Sequence, residues 1–314
     1  MICRSTIGSR SRYAFASCSA AAILAACSTS QPPLSVLDAS RFSVVKRDSA
    51  PERPDYPTSG ALVYVTNLNP DYSGVTIYDA KSNDPSPLAT ITAGVSSPVG
   101  ACVDGDGTLY IVNEPSSSLG WVSEYPLGKT TPIRTITQDI NIPAFCAIDA
   151  KGNLWVSNIG GPTVTEYVKG STTPHRTLRK GLTSPDGVAI DHTGNIYVVN
   201  DGASSPMPNV KVFPPGGNTP VRTITDGIGS PGGAAVDRHG TLYVANYLPC
   251  DIEEYRAGQS KPYRTITKNL NAPTDVAIAK NGWLYEVSMG NQNCGGPAPI
   301  VLELRPGSKN HRIA

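Results

Sequence analysis

Short runs of β-branched and aromatic residues, separated by Gly, Pro, Asn and Asp, recur along most of this chain. Ser184 to Asn200, SPDGVAIDHTGNIYVVN, shows the unit: GVAID and NIYVV are short runs rich in β-branched and aromatic residues, and His192-Thr193-Gly194 between them supplies a turn. The pair predicts a β-hairpin. Aligning the chain on the aromatic of the second run gives Tyr64, Tyr110, Trp155, Tyr197, Tyr243 and Tyr285, at spacings of 46, 45, 42, 46 and 42. A third run follows each of them (from Val75, Val122, Val164, Val210, Ile252 and Val301), and then a fourth (LATIT from Leu88, IRTIT from Ile133, HRTL from His175, VRTIT from Val221, YRTIT from Tyr263, HRIA at the C-terminus).

Four strands per repeat of this length, each too short to bury a face alone, predict stacked blades around an axis, a β-propeller, because that arrangement removes most open sheet edges. Six aromatic runs predict an all-β chain with six four-stranded antiparallel blades over 58–314. Only five first strands are evident, beginning near Pro98, Pro143, Pro185, Pro231 and Pro273. The first blade must therefore borrow its innermost strand, with Phe42 to Val45 a candidate, or lack one.

The series P-x-G-V-A-x-D-x-x-G-x-L-Y-V-x-N followed by V-x-x-Y resembles NHL-type propeller repeats across about 60–314. That resemblance implies a propeller and says little of activity, since propellers host unrelated functions.

The N-terminus changes the picture of where such a wheel would work. Arg4, Arg10 and Arg12 precede an apolar, alanine-rich run from Tyr13 to Ala26, too short to span a bilayer as a mature helix. This reads as a secretory signal over 1–26. Leu24-Ala25-Ala26-Cys27 resembles a bacterial lipobox, in which the Cys is acylated and becomes the first mature residue. A lipid-anchored protein of the cell envelope, facing the periplasm or exterior, is the expectation. An ordinary signal peptide with a chance Cys is the alternative, and it exports the protein as well. Residues 27–57, rich in Ser and Pro, read as a tether.

Cleavage removes three of the 26 basic residues and none of the 25 acidic ones, so a formal charge of +1 becomes about −2. That balance excludes an electrostatic footprint for nucleic acid. Export permits disulfides. Cys250 and Cys294 fall in equivalent loops of neighbouring repeats, so a bridge is geometrically plausible. Cys102 and Cys146, inside GACVD and FCAID, read as small buried strand residues.

Candidate chemistry is sparse. Asp104, Asp149, Asp191 and Asp237 each stand three residues before a Gly, which turn chemistry explains better than calcium, since a calcium loop beginning at Asp104 would need Glu where Pro115 stands. Glu124, Glu166, Glu254 and Glu303 precede Arg134, Arg176, Arg264 and Arg312 by nine or ten residues, as cross-strand pairs on an outer hairpin would, worth about 0.2–1 kcal/mol each. His175, His192, His239 and His311 do not converge.

What remains is the face where second strands end and first strands begin. There the sequence sets Asn67, Asn113, Asn158, Asn200 and Asn246, with Ser288 in the sixth repeat, and Asp186 and Asp275 near first-strand starts; Asn113, Asn158, Asn200, Asn246 and the two Asp are the candidate ligand face. Two readings follow. In one, the face binds an envelope protein, carbohydrate or small molecule, without catalysis or cofactor, in a monomer. In the other, similar to gluconolactonase-like hydrolases, these amides and carboxylates ring a divalent cation such as calcium and hydrolyse lactones. An Asn recurring in five repeats also suits a purely structural cap. Unequal loops follow the Asn residues, the longest being MGNQNCGGPAP and then DGASSPMPN.

Overall fold

The computed structural model describes residues 54–59, 61–69, 72–79, 86–116, 118–201, 207–278, 282, 284–288, 294, 301–304 and 311–313. The signal segment, Cys27, the candidate strand Phe42 to Val45 and most of the loop after Ser288 lie outside them.

Every regular element is a strand, and each sheet is an antiparallel meander. Five sheets have four strands. They run Pro98–Val103 to Arg134–Ile136, Pro143–Ile148 to Pro174–Leu178, Pro185–Ile190 to Arg222–Ile224, Ser230–Val236 to Arg264–Ile266, and Pro273–Ile278 to His311–Ile313. We number these blades two to six. The N-terminal sheet, Leu62–Asn69, Tyr72–Asp79 and Ala89–Ile91, has three strands. The expectation of six four-stranded blades is corrected accordingly: five are complete, and the N-terminal sheet begins at the strand equivalent to the second strand elsewhere. The chain is an all-β propeller with four-stranded antiparallel blades.

First strands of blades two to six lie side by side in chain order. Their approach is close enough to dictate residue type: a Cβ at Gly100 would lie 2.8 Å from the Ala144 carbonyl oxygen, and one at Gly187 would lie 2.6 Å from that of Gly232. The glycine of the P-x-G signature is thus a spacing requirement of neighbouring inner strands. Alternate residues of each sheet face the next one, so apolar side chains interdigitate between blades. Val99, Tyr110, Val112, Val122 and Ile136 of blade two pack with Ile148, Leu154, Val156 and Tyr167 of blade three, and equivalent clusters join the remaining neighbours from the N-terminal sheet to blade six. Each such core buries a stripe too small to be stable within one blade.

The aromatic of V-x-x-Y adds a directed tie. Tyr125, Tyr167 and Tyr255 are fully buried, and their hydroxyls donate to carbonyls of the preceding sheet, at Ala93 (2.6 Å), Gln138 (2.5 Å) and Asp226 (2.7 Å).

Two hairpin turns per blade form one face of the wheel. In the first, Asp104, Asp149, Asp191 and Asp237 each accept from backbone N–H groups two and four residues on, at 2.8–3.0 Å, while the Gly three residues after each Asp has φ between 79° and 88°. These are turns, as the sequence suggested.

Three sequence expectations are modified. Cys102 and Cys146 form a disulfide, Cα–Cα 5.8 Å, and are half-buried; they are not separate buried thiols. Side-by-side first strands bring positions one repeat apart together. The Glu residues of third strands are buried between blades, Glu124, Glu166 and Glu254 being 5%, 7% and 1% exposed, and do not stand out at the rim. Arg134 pairs with Glu124 at 2.8 Å and Arg264 pairs with Glu254. Glu166 and Arg176 are register partners, yet Arg176 turns to Asn218 (2.8 Å) and stacks on Trp155, while Glu166 accepts from the Asn153 amide at 3.0 Å. Glu303 and Arg312 also stand opposite in register.

The chain just ahead of 58, read as tether, is docked. Tyr56 is buried, its hydroxyl 3.2 Å from that of Tyr64, and the Asp55 carboxylate accepts from the backbone N–H (2.7 Å) and hydroxyl (2.9 Å) of Thr130. No helix among the described residues is long and apolar enough to cross a membrane.

Candidate functional site

Opposite the turns, loops joining second to third strands and loops joining successive blades share one face. The four Asn residues proposed as ligands lie here, each ending a second strand and each with no exposed surface. Their side chains are occupied. Asn113, Asn158 and Asn246 accept through Oδ1 from the backbone N–H of the residue seventeen earlier, Ser96, Asn141 and Gly229, at 2.9–3.0 Å. Asn200 accepts from Thr183 (2.8 Å) and Ser184 (3.0 Å), and Ser288 does the same work through Oγ with Asn271 at 3.1 Å. The amide of Asn246 further donates to the Gly227 carbonyl (2.9 Å) and to Asp251 (2.7 Å). This Asn clamps the chain arriving from the previous blade and has little left to offer a ligand.

Asp186 and Asp275 are in a different situation. Asp186 follows the first Pro of blade four and is 3% exposed, and its Oδ1 has no hydrogen-bond partner among the described residues. Burial pushes its carboxyl well above the usual range, and every charge acting on it is negative: Asp201, Asp275 and Glu114. Asp275, on the first strand of blade six, is pushed up to about 7 by burial, against one backbone donor, Val276 N–H at 2.8 Å. Between them runs blade five, whose first strand carries Gly232 and Gly233. A Cβ on Gly233 would collide with Asp275 Oδ1, and one on Gly232 with the Thr274 carbonyl. The glycine pair lets the inner strands of blades five and six approach this closely.

Glu114 and Asp201 each follow the clamping Asn of their blade. Their backbone N–H groups donate to Ser97 and Ser184 carbonyls, both at 3.0 Å, which seats both residues at the start of the loops beside the first strands. Burial raises Asp201. The carboxylates acting on Asp186 therefore come from blades two, four and six, alternate members of the wheel, and so approach its axis. Neither Glu114 nor Asp201 was singled out from sequence. The available signal was an acidic residue directly after the clamping Asn in blades two and four, where blades three and five have Ile159 and Tyr247.

Glu286 was also missed. It stands where blades two to five have Ile111, Val156, Val198 and Val244, has no exposed surface, accepts from Ser288 Oγ at 2.5 Å, and is raised to about 8 by burial; its Oε2 has no hydrogen-bond partner. Asn209, 2% exposed at the base of the blade-four loop, donates to Met207 O at 2.9 Å and leaves its Oδ1 unsatisfied. Among the described residues no group of three or more His, Cys, Asp and Glu side chains is arranged to hold a metal ion.

The same loops expose large apolar side chains: Leu119 at 62%, Met207 at 76% and Leu248 at 43%. Cys250, two residues after Leu248, is bridged to Cys294, Cα–Cα 5.7 Å, tying the loops of blades five and six together. The two bridges have the same sequence separation, 44 residues, one repeat. That equality was legible and links the Cys102 pair to the Cys250 pair.

No known sequence family and no curated protein matches this chain. Among solved structures, 1236 chains match, so the fold is common and names no activity. One is a chain of a nidogen/laminin complex, 18% identical, with a TM-score of 0.63 over 80% of this chain and 90% of that one. At that identity the likeness is one of fold.

Proposed function

We propose that this chain is an exported, lipid-anchored propeller of NHL-repeat type, with the three-stranded sheet as its sixth blade, and that it acts as an interaction module through its loop-bearing face. The address rests on Arg4 to Cys27 as read above. The observation that carries the function is the solvent exposure of Leu119, Met207 and Leu248 on loops of that one face. Exposed apolar side chains on a rigid scaffold gain by being covered, and a preorganised ring of loops needs little ordering on binding. The other exposed large apolar side chains are dispersed: Ile133, Val221 and Tyr263 recur at the outer strands, and Val168 sits alone among the turns.

Crosslinking of the full chain to envelope extract tests this. Leu119→Gln with Met207→Gln should abolish a product that Ile133→Gln with Val221→Gln leaves intact; equal loss from both pairs overturns the assignment.

A second reading, a divalent-metal hydrolase of lactones, is favoured by Asp186 and Asp275, a buried and a half-buried carboxyl both raised above the usual range on one face. Stoichiometric calcium together with hydrolysis of gluconolactone, both lost in Asp186→Asn, would establish it in place of the first.

A further inference from the structure

We propose that the axial carboxylates of the loop-bearing face receive a lysine or arginine side chain of a partner polypeptide whose flanking surface rests on Leu119, Met207 and Leu248. This rests on the reading of that face as an interaction surface, and adds the chemistry of what enters it.

Three observations point to such a group. First, Asp186 is 3% exposed with Oδ1 unpartnered, and only negative charges act on it. The ion pairs of Lys169, Arg134 and Arg264 are made elsewhere, with Asp104, Asp106, Glu124 and Glu254. A buried carboxylate among carboxylates is costly until a cation or a proton reaches it. Second, the unsatisfied atoms of this face in blade four, Asp186 Oδ1 and Asn209 Oδ1, are both acceptors. Ammonium and guanidinium groups are donors only, with three and five N–H groups. Third, the same face exposes Leu119, Met207 and Leu248. A lysine or arginine carries its charge on an alkyl stem, and that stem and its neighbours suit this apolar rim. A bare metal ion would leave the rim unused.

The test uses the full chain and three blocked peptides, Gly-Leu-X-Leu-Gly with X as lysine, arginine or norleucine, followed by calorimetry, with calcium chloride titrated separately. The lysine or arginine peptide should bind, the norleucine peptide at least tenfold more weakly. Asp186→Asn and Asp275→Asn should each weaken the cationic peptide at least tenfold while melting no lower than the parent chain, which separates lost recognition from lost folding. Equal binding of all three peptides, sensitive to Leu119→Gln but not to Asp186→Asn, would sink the cationic assignment and leave the interaction face standing. Failure of every peptide to bind overturns the proposal, and calcium binding lost in Asp186→Asn would assign the carboxylates to a metal instead.

Discussion

The two faces of the wheel are built from the same repeats but obey different rules. Among the described residues, every one with positive φ on the turn face is a glycine, such as Gly107, Gly128, Gly152 and Gly170, and each first-turn Asp finds its backbone donors. On the loop face six described residues other than glycine hold positive φ: Ser97, Asp139, Ile142, Cys250, Asn269 and Ala272. Ile142, β-branched at φ 49°, is an outlier by any steric criterion. Buried carboxyls crowd there, and large apolar groups meet solvent. One face is relaxed and self-satisfied. The other stores strain, like charge and uncovered apolar surface, a pattern that marks working surfaces.

The largest effect should come from removing what holds the loop face to its scaffold. Asn246→Ala orphans the Gly229 N–H and the Gly227 carbonyl and strips a donor from Asp251. At roughly 1–3 kcal/mol for each buried group left unmade, the loss should reach several kcal/mol, measured by urea denaturation. A change under 1 kcal/mol would mean that this Asn is a spare polar group and not a clamp. On the turn face, Asp191→Ala removes the acceptor for Thr193 and Asn195 N–H groups, both nearer to solvent, and should cost about 1–2 kcal/mol. A larger loss than Asn246→Ala would reverse the contrast between the faces.

The like-charge cluster should act in the opposite direction. Asp275 titrates at about 7 and Glu286 at about 8 when folded, against 3.8 and 4.5 ordinarily. Between those values the folded chain holds protons that the unfolded chain has released, so stability falls as pH rises from about 4 to about 8. Asp186→Asn removes a buried acidic group whose carboxyl is held well above its usual range, so the variant should gain stability over the parent as pH rises from about 4 to about 8 and show no gain at about pH 4. Thermal melts across that range decide it: a variant less stable than the parent at pH 8 would show that the cluster has its counter-charge within the chain.

What the sequence made legible was everything that repeats. Strand order, the Asp turns and the aromatic period recur because each blade must solve the same packing problem. The repeat hid whatever is single. Glu114, Asp201 and Glu286 are departures from a pattern, and nothing in a linear spacing shows that residues of blades two, four and six approach one axis. Asp186 and Asp275 were found by their place near first-strand starts; the Asn residues were named for the face they share, and their recurrence suited a structural cap, which is the backbone clamp they make. Arg176 stacks on Trp155 and donates to Asn218 in place of its register partner Glu166, which accepts from Asn153. That the N-terminal sheet has three strands among the described residues matches the absence of a P-x-G segment ahead of Tyr64.

The smallest effect concerns the ties between blades. Tyr167 sends its hydroxyl to the Gln138 carbonyl across a blade boundary, and Tyr125 and Tyr255 make equivalent bonds. Phe213 holds the same position in blade four, fully buried and without a hydroxyl. By repeat equivalence it faces the Lys180 carbonyl. The wheel therefore tolerates one boundary without the bond, which bounds its worth: Tyr167→Phe should cost about 1 kcal/mol, a typical net hydrogen bond, with no change in the denaturant dependence of unfolding. Phe213→Tyr should return a similar amount if the space beside Lys180 matches that beside Gln138. If Tyr167→Phe instead splits unfolding into two transitions, the hydroxyl couples blades that apolar packing alone does not, and the blade boundaries are not uniform.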